Sequence, residues 1–202
     1  MPKIKGKDLK TIAILGTLNT KATEVNYIRE KIIEQGHHVI VIDVSLTLWD
    51  DSSFQPDIGQ QQIAEESGIK VEELTLLMQQ EDACAAMIKG ATSVVGKLYR
   101  AGKIDGIIAL GGSVGTSMGC AVMRSLPLGV PKVIFSTFLG DIRPYVGIKD
   151  IVFFPAITDI VGLNRGIQKA SRQGCRRHRG HGRGGHRNPS RREAPHWNID
   201  TW

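Results

Sequence analysis

Apolar residues in this chain come in short unbroken runs separated by longer stretches of helical period. The runs are TIAILG (11–16), HHVIVIDV (37–44), IDGIIAL (104–110), PKVIFST (131–137) and DIVFFP (150–155). Val/Ile/Leu-rich runs of this length, bounded by Gly and Pro, read as strands buried on both faces. Between the first two runs, TKATEVNYIREKIIEQG (20–36) places Val25, Ile28 and Ile32 on one side of a helix, with Thr20 as its cap and Gly36 as its stop. DACAAMIKGATSVVGKLYRAG (82–102) and GTSMGCAVMRSLP (115–127) predict two more helices, the second closed by Pro127. Residues 45–61 are irregular, and mixed helical segments follow to residue 79.

Strands alternating with helices predict an α/β fold: a Rossmann-like open parallel sheet of about five strands, expected order 2-1-3-4-5, with helices on both faces. The expected division is a Rossmann-like nucleotide-binding subdomain over 1–167 and a basic Arg/Gly/His-rich tail over 168–202. No apolar run reaches the length of a membrane span, which argues against a membrane partner. Cys84, Cys120 and Cys175 are odd in number and far apart, the pattern of free thiols in a reducing compartment, and the expected location is the cytoplasm. The net charge of +6 invites a nucleic-acid reading, but its distribution argues against one. Nine of the 26 Lys/Arg and two of the 20 Asp/Glu lie in 168–202, leaving 17 basic and 18 acidic residues in a nearly neutral body.

In open parallel sheets, ligands bind beyond the carboxyl ends of the strands, where the strand order reverses. Two strand-end segments carry suitable chemistry: GTLNTK (16–21) and GGSVGTS (111–117). Each leads into a helix, whose N-terminal amides and partial positive charge suit phosphate. Thr20, Ser113 and Thr116 offer hydroxyls, and Lys21 a point charge. Neither segment is a Walker or G-x-G-x-x-G sequence, and either could be an ordinary turn and cap. Asp43 or Ser45, after the second strand, could face a sugar or simply cap the strand end. The segment 136–147 (STFLGDIRPYVG) could form a lid, an interface loop or a turn around Pro144. His37 and His38 have no partnered ligands in the sequence, and no metal cluster or catalytic triad is evident.

Taken together, ILGTLNTK, VIDVS, IIALGGSVGTS, MRSLPLGVPKVIFST, PYVGIKDIVFFP and DIVGLNR resemble the tobamovirus-resistance-protein-like ATP-binding domain family, from about Thr11 to Arg165. The resemblance implies a Rossmann-like subdomain, ATP as the cofactor (Mg²⁺ could accompany it) and homodimerisation. It covers the N-terminal subdomain of a two-subdomain unit, so the second subdomain is an implied partner. By resemblance, the nucleotide site falls on Asn19, Thr20, Lys21, Ala22 and Thr23, on Ser45 or Leu46, and on Gly112, Ser113, Val114, Gly115 and Thr116. Three departures stand out. Val114 replaces a family glycine, which would strain the backbone if that position needs positive φ; Gln80 aligns with a family arginine; and the loop after the fourth strand is one residue short. Two other functions fit the same residues: an enzyme acting on a small phosphorylated or carboxylate metabolite, with Asp141 as base, and a protein-interaction or inhibitory module with a structural nucleotide.

The tail CRRHRGHGRGGHRNPSRREAPHWNIDTW (175–202) breaks abruptly from this pattern. Read one base later, 177–188 can be back-translated to give AIVGMVEAGIET, and 193–202 to give KPLIGISTLG. The first looks like an apolar helix and the second like a strand opening another unit, so a frameshift near 165–168 is expected to have produced a disordered tail. The coding DNA tests this: an open, apolar frame is expected one base over, and its absence would leave an evolved basic tail, whose nucleic-acid binding would depend steeply on salt.

Overall fold

The computed structural model of the chain describes residues 9–48, 54–74 and 80–156. The boundary expected at 167, the tail 168–202 and Cys175 lie outside the described residues. Five strands form one all-parallel sheet: β1 (Thr11–Gly16), β2 (His38–Asp43), β3 (Gly106–Gly111), β4 (Lys132–Ser136) and β5 (Ile151–Pro155). Their order is β2-β1-β3-β4-β5, as the sequence predicts.

Side chains alternate across the sheet because the strand period is two. Ile14, Val41, Leu110, Val133 and Phe135 point to one face and pack against Leu18, Val25, Ile28 and Ile32 of α1 (Leu18–Glu34). Ala13, Leu15, Ile42, Ile107, Ala109 and Ile134 point to the other. There they meet α2 (Gln60–Ser67), α3 (Val71–Leu74), α4 (Gln80–Arg100) and α5 (Ser113–Ser125). Right-handed crossovers require this division, since the chain moves from β1 to β2 in one direction and from β2 to β3 in the other. Two helix contacts depend on missing side chains. A Cβ on Gly90 would fall 1.9 Å from the Ile63 carbonyl oxygen, so α2 crosses α4 backbone to backbone. A Cβ on Gly119 would fall 2.7 Å from Ala109 Cβ, so α5 lies low on β3.

Two local expectations change. α1 begins at Leu18 with Thr17 as its N-cap, ahead of the expected Thr20 cap. Thr20 and Lys21 both donate their amides to the Thr17 carbonyl (3.1 and 2.9 Å), closing a first turn, and Lys21 departs from helical geometry at φ −130°, ψ 17°. Val114 is not strained. It lies in the first turn of α5, and no non-glycine residue among those described has positive φ.

The far side of the sheet is locked by a buried cation. The Lys132 side chain is fully buried, and its ammonium donates to the carbonyls of Pro127 (2.7 Å) and Val130 (2.9 Å) and to Asp150 Oδ1 (2.7 Å). Asp150 Oδ2 accepts the Gly129 amide at 2.6 Å. Burial alone would raise the Asp150 carboxyl, but the hydrogen bonds from Lys132 and Gly129 and the Lys132 charge outweigh it, and the net shift is downward. All three ammonium donors are satisfied, as a buried charge requires.

Asp150→Asn should destabilise the protein by about 2 kcal/mol at neutral pH, less than the ~3–5 kcal/mol of a fully buried pair, because water reaches Asp150. A depressed folded-state pKa stabilises above the unfolded value and is lost as pH falls through the folded one. The gap between wild type and variant in urea unfolding should therefore close below about pH 4. Val114→Gly should cost about 1 kcal/mol in the same assay, from lower helix propensity and a lost packing contact; a gain in stability would reveal a strained backbone there.

Candidate functional site

Strand order reverses between β1 and β3: the chain leaves β1 towards β2 and β3 towards β4. The two strands pair directly, Leu15 beside Ala109, so the segments 16–21 and 111–116 emerge side by side at the carboxyl rim. The convergence expected from the sequence is present, but the two sides differ in what they offer.

On the β3 side, the turn into α5 is built from glycines. A Cβ on Gly111 would sit 2.5 Å from Gly115 Cα, and one on Gly115 would sit 3.1 Å from the Leu110 carbonyl oxygen. Gly112 is the N-cap of α5 and has no side chain to cap it. The first internal bond runs from the Thr116 amide to the Gly112 carbonyl at 2.8 Å. The amides of Ser113, Val114 and Gly115 precede that bond and have no acceptor among the described residues. Ser113 is exposed and Val114 half-buried, whereas Thr116 is buried. The Thr116 hydroxyl faces the protein, sharing a 2.5 Å hydrogen bond with the Ser136 hydroxyl. Ser136 Oγ also accepts the Phe138 amide at 2.9 Å, so Thr116 rivets α5 to the end of β4.

On the β1 side, the amides at the start of α1 are already engaged. Leu18 donates to Asp43 Oδ1 (3.2 Å) and Asn19 to Ser45 Oγ (3.1 Å), while Thr20 and Lys21 donate to Thr17. Asp43 and Ser45 are buried and hold this turn. What this side presents is side chains. Asn19 is half-buried, with Nδ2 donating to Thr47 Oγ1 at 2.8 Å. Thr20 is exposed, its hydroxyl 3.3 Å from that of Thr17. Lys21 and Ala22 are half-buried, and Thr23 is exposed.

One neighbour was missed by the sequence reading. The Thr137 hydroxyl lies 3.6 Å from where a Gly112 Cβ would stand, and the Thr137 amide donates to the Gly111 carbonyl at 3.3 Å. The segment after β4 thus forms a third wall of the α5 N-terminus. The signal is Ser-Thr at the end of the fourth apolar run, at the start of a segment whose sequence fits a lid, an interface loop or a turn. The rest of that segment is pinned. Residues Arg143–Val146 form α6, and Arg124 donates to the carbonyls of Pro144 and Tyr145, both at 2.9 Å. Asp141 is hydrogen-bonded by the Arg143 guanidinium, which lowers its carboxyl below the usual range.

Cys84 and Cys120 are free thiols; burial pushes Cys120 up to about 11, which makes it inert. Among the described residues, no group of three His/Cys/Asp/Glu could hold a metal ion, and no helix is long and apolar enough to cross a membrane.

Known proteins add the following. A UPF0261 protein of Clostridium tetani is 41% identical over 156 residues, which cover 77% of this chain and 38% of that protein. The chain therefore spans well under half the length of this relative. The ToMV resistance protein of tomato (Solanum lycopersicum) is 50% identical over 62 residues, 30% of this chain and 8% of that protein. The solved structure of a diflavin flavoprotein A3 from Nostoc sp. has a TM-score of 0.42 at 13% identity, over 84% of this chain and 91% of that one. The model of the uncharacterised protein family UPF0261, N-terminal domain, matches residues 10–181, and the chain belongs to that family.

Proposed function

We propose that this domain binds a nucleotide, ATP by its family resemblance, in the crevice between β1 and β3. The observation that carries the reading is the uncapped N-terminus of α5 at the point of strand reversal, where three successive amides precede the first helical bond. Such a terminus concentrates partial positive charge and directed donors, the recognition chemistry of a phosphate. Ser113 and Thr137 add hydroxyls, and Asn19, Thr20 and Lys21 complete the opposite wall with side chains. Gly112 leaves the N-cap without a side chain, while Gly111 and Gly115 let the turn pack closely. Mg²⁺, if it takes part, would come in with the phosphates as their counter-ion. Homodimerisation, a cytoplasmic location, the second subdomain as a partner and a frameshifted tail belong to the same reading. The enzyme alternative is less favoured, because its suggested base, Asp141, is hydrogen-bonded to Arg143.

Ser113→Asp separates binding from folding. A carboxylate in the first turn of α5 complements the helix dipole and should leave stability unchanged or raise it by about 0.5 kcal/mol. The same charge would occupy and repel the phosphate seat, so ATP affinity measured by calorimetry should fall by about tenfold or more, or about 1.4 kcal/mol. Folded wild-type protein that gives neither heat nor a thermal shift with millimolar ATP would refute the proposal.

A further inference from the structure

In open dinucleotide-binding sheets, an acid at the end of the second strand takes the ribose hydroxyls. Asp43 occupies the end of β2, yet it is only 1% exposed. Its Oδ1 accepts the Leu18 amide (3.2 Å), the Ser45 amide (2.9 Å) and the Ser45 hydroxyl (2.5 Å). Ser45 Oγ accepts the Asn19 amide in turn, and the Ser45 carbonyl accepts Gln60 Nε2 at 2.6 Å. One carboxylate oxygen and one hydroxyl therefore close off the first two amides of α1 and tie them to β2 and α2.

We infer that Asp43 is a positioning residue and not a sugar ligand. By turning the α1 amides inward, directly at Leu18 and through Ser45 at Asn19, it leaves the ligand only side chains on that wall, and the main-chain donors for the phosphates come from α5. The inference rests on the nucleotide reading above and narrows it. The ligand is a phosphate-bearing mononucleotide recognised through its phosphates, with no ribose contact at the end of β2.

The test is residue-resolved amide hydrogen exchange on the full chain, with and without ATP, beside calorimetry with ATP and 2′-deoxy-ATP. ATP should slow exchange at 113–115, while Leu18 and Asn19, expected to be slow already because they are hydrogen-bonded, change by less than about twofold. Asp43→Asn, which keeps Oδ1 as an acceptor, should retain slow exchange at Leu18 and alter the ATP to deoxy-ATP affinity ratio by less than about twofold. Asp43→Ala should release Leu18. If that variant does not fold, Ser45→Ala should release Asn19 alone. ATP-dependent slowing at Leu18 or Asn19 would overturn the inference and leave the nucleotide reading standing. So would a deoxy penalty of about tenfold that disappears in Asp43→Asn. Neither heat nor slowing anywhere in folded protein would remove the nucleotide reading, and this inference with it.

Discussion

The turn from β3 into α5 is a contact of backbone on backbone, and the site depends on it. A side chain at Gly111 would overlap Gly115 Cα at 2.5 Å, and one at Gly119 would strike Ala109 at 2.7 Å. Glycine at both positions lets α5 rise directly off its own strand and lie close along it. The N-cap position itself is not crowded: a Cβ on Gly112 would meet only the Thr137 hydroxyl, at 3.6 Å. Most helices satisfy their first amides with Ser, Thr, Asp or Asn at the N-cap; here Gly112 holds that position, and the cap must come from outside the helix.

The two walls of the crevice show opposite solutions to one problem. Both α1 and α5 start at the carboxyl rim with amides that their own turns cannot satisfy. At α1 the chain solves this internally, borrowing Asp43 and Ser45 from the end of β2 and folding the next two amides onto Thr17. At α5, Thr116 and Ser136 are spent on one another in the core, and no side chain caps the first amides. One wall is therefore rigid and presents side chains, and the other presents main-chain donors. A ligand with a compact anionic end and a larger neutral body would match that division.

Much of this was legible in the sequence, because unbroken apolar runs and glycine punctuation fix a parallel sheet with little ambiguity. Strand order, both rim segments and the helix after each were readable, since β1 and β3 end in Gly and lead straight into helical periods. What sequence spacing could not show was where individual donors point. Thr116 and Ser45 look like ligand hydroxyls in a string of residues, yet both are wholly buried and bonded within the protein. Thr137 belongs to a segment that fits a lid, an interface loop or a turn by sequence, yet its hydroxyl borders the α5 N-terminus. The start of α1 was misjudged because Thr20 is a good cap by type, whereas the Thr17 carbonyl collects two amides and begins the helix earlier. Val114 raised a concern about strain that applies only to left-handed backbone, and a helical first turn accepts a β-branched residue at small cost.

In the proposed reading, the preference for an anion over a neutral ligand follows from the cost of unmet donors. An amide left without a partner away from water costs about 1–3 kcal/mol. Gly115 is buried beneath the turn, while Ser113 beside it is exposed. Charge-assisted hydrogen bonds are roughly twice as strong as neutral ones, and a phosphate has enough oxygens to reach several donors at once. A neutral carbonyl would satisfy one amide and cover the others. A carboxylate could satisfy two, but with less charge to set against the helix dipole. On that reading, the arrangement would reward a multiply charged group with several acceptors.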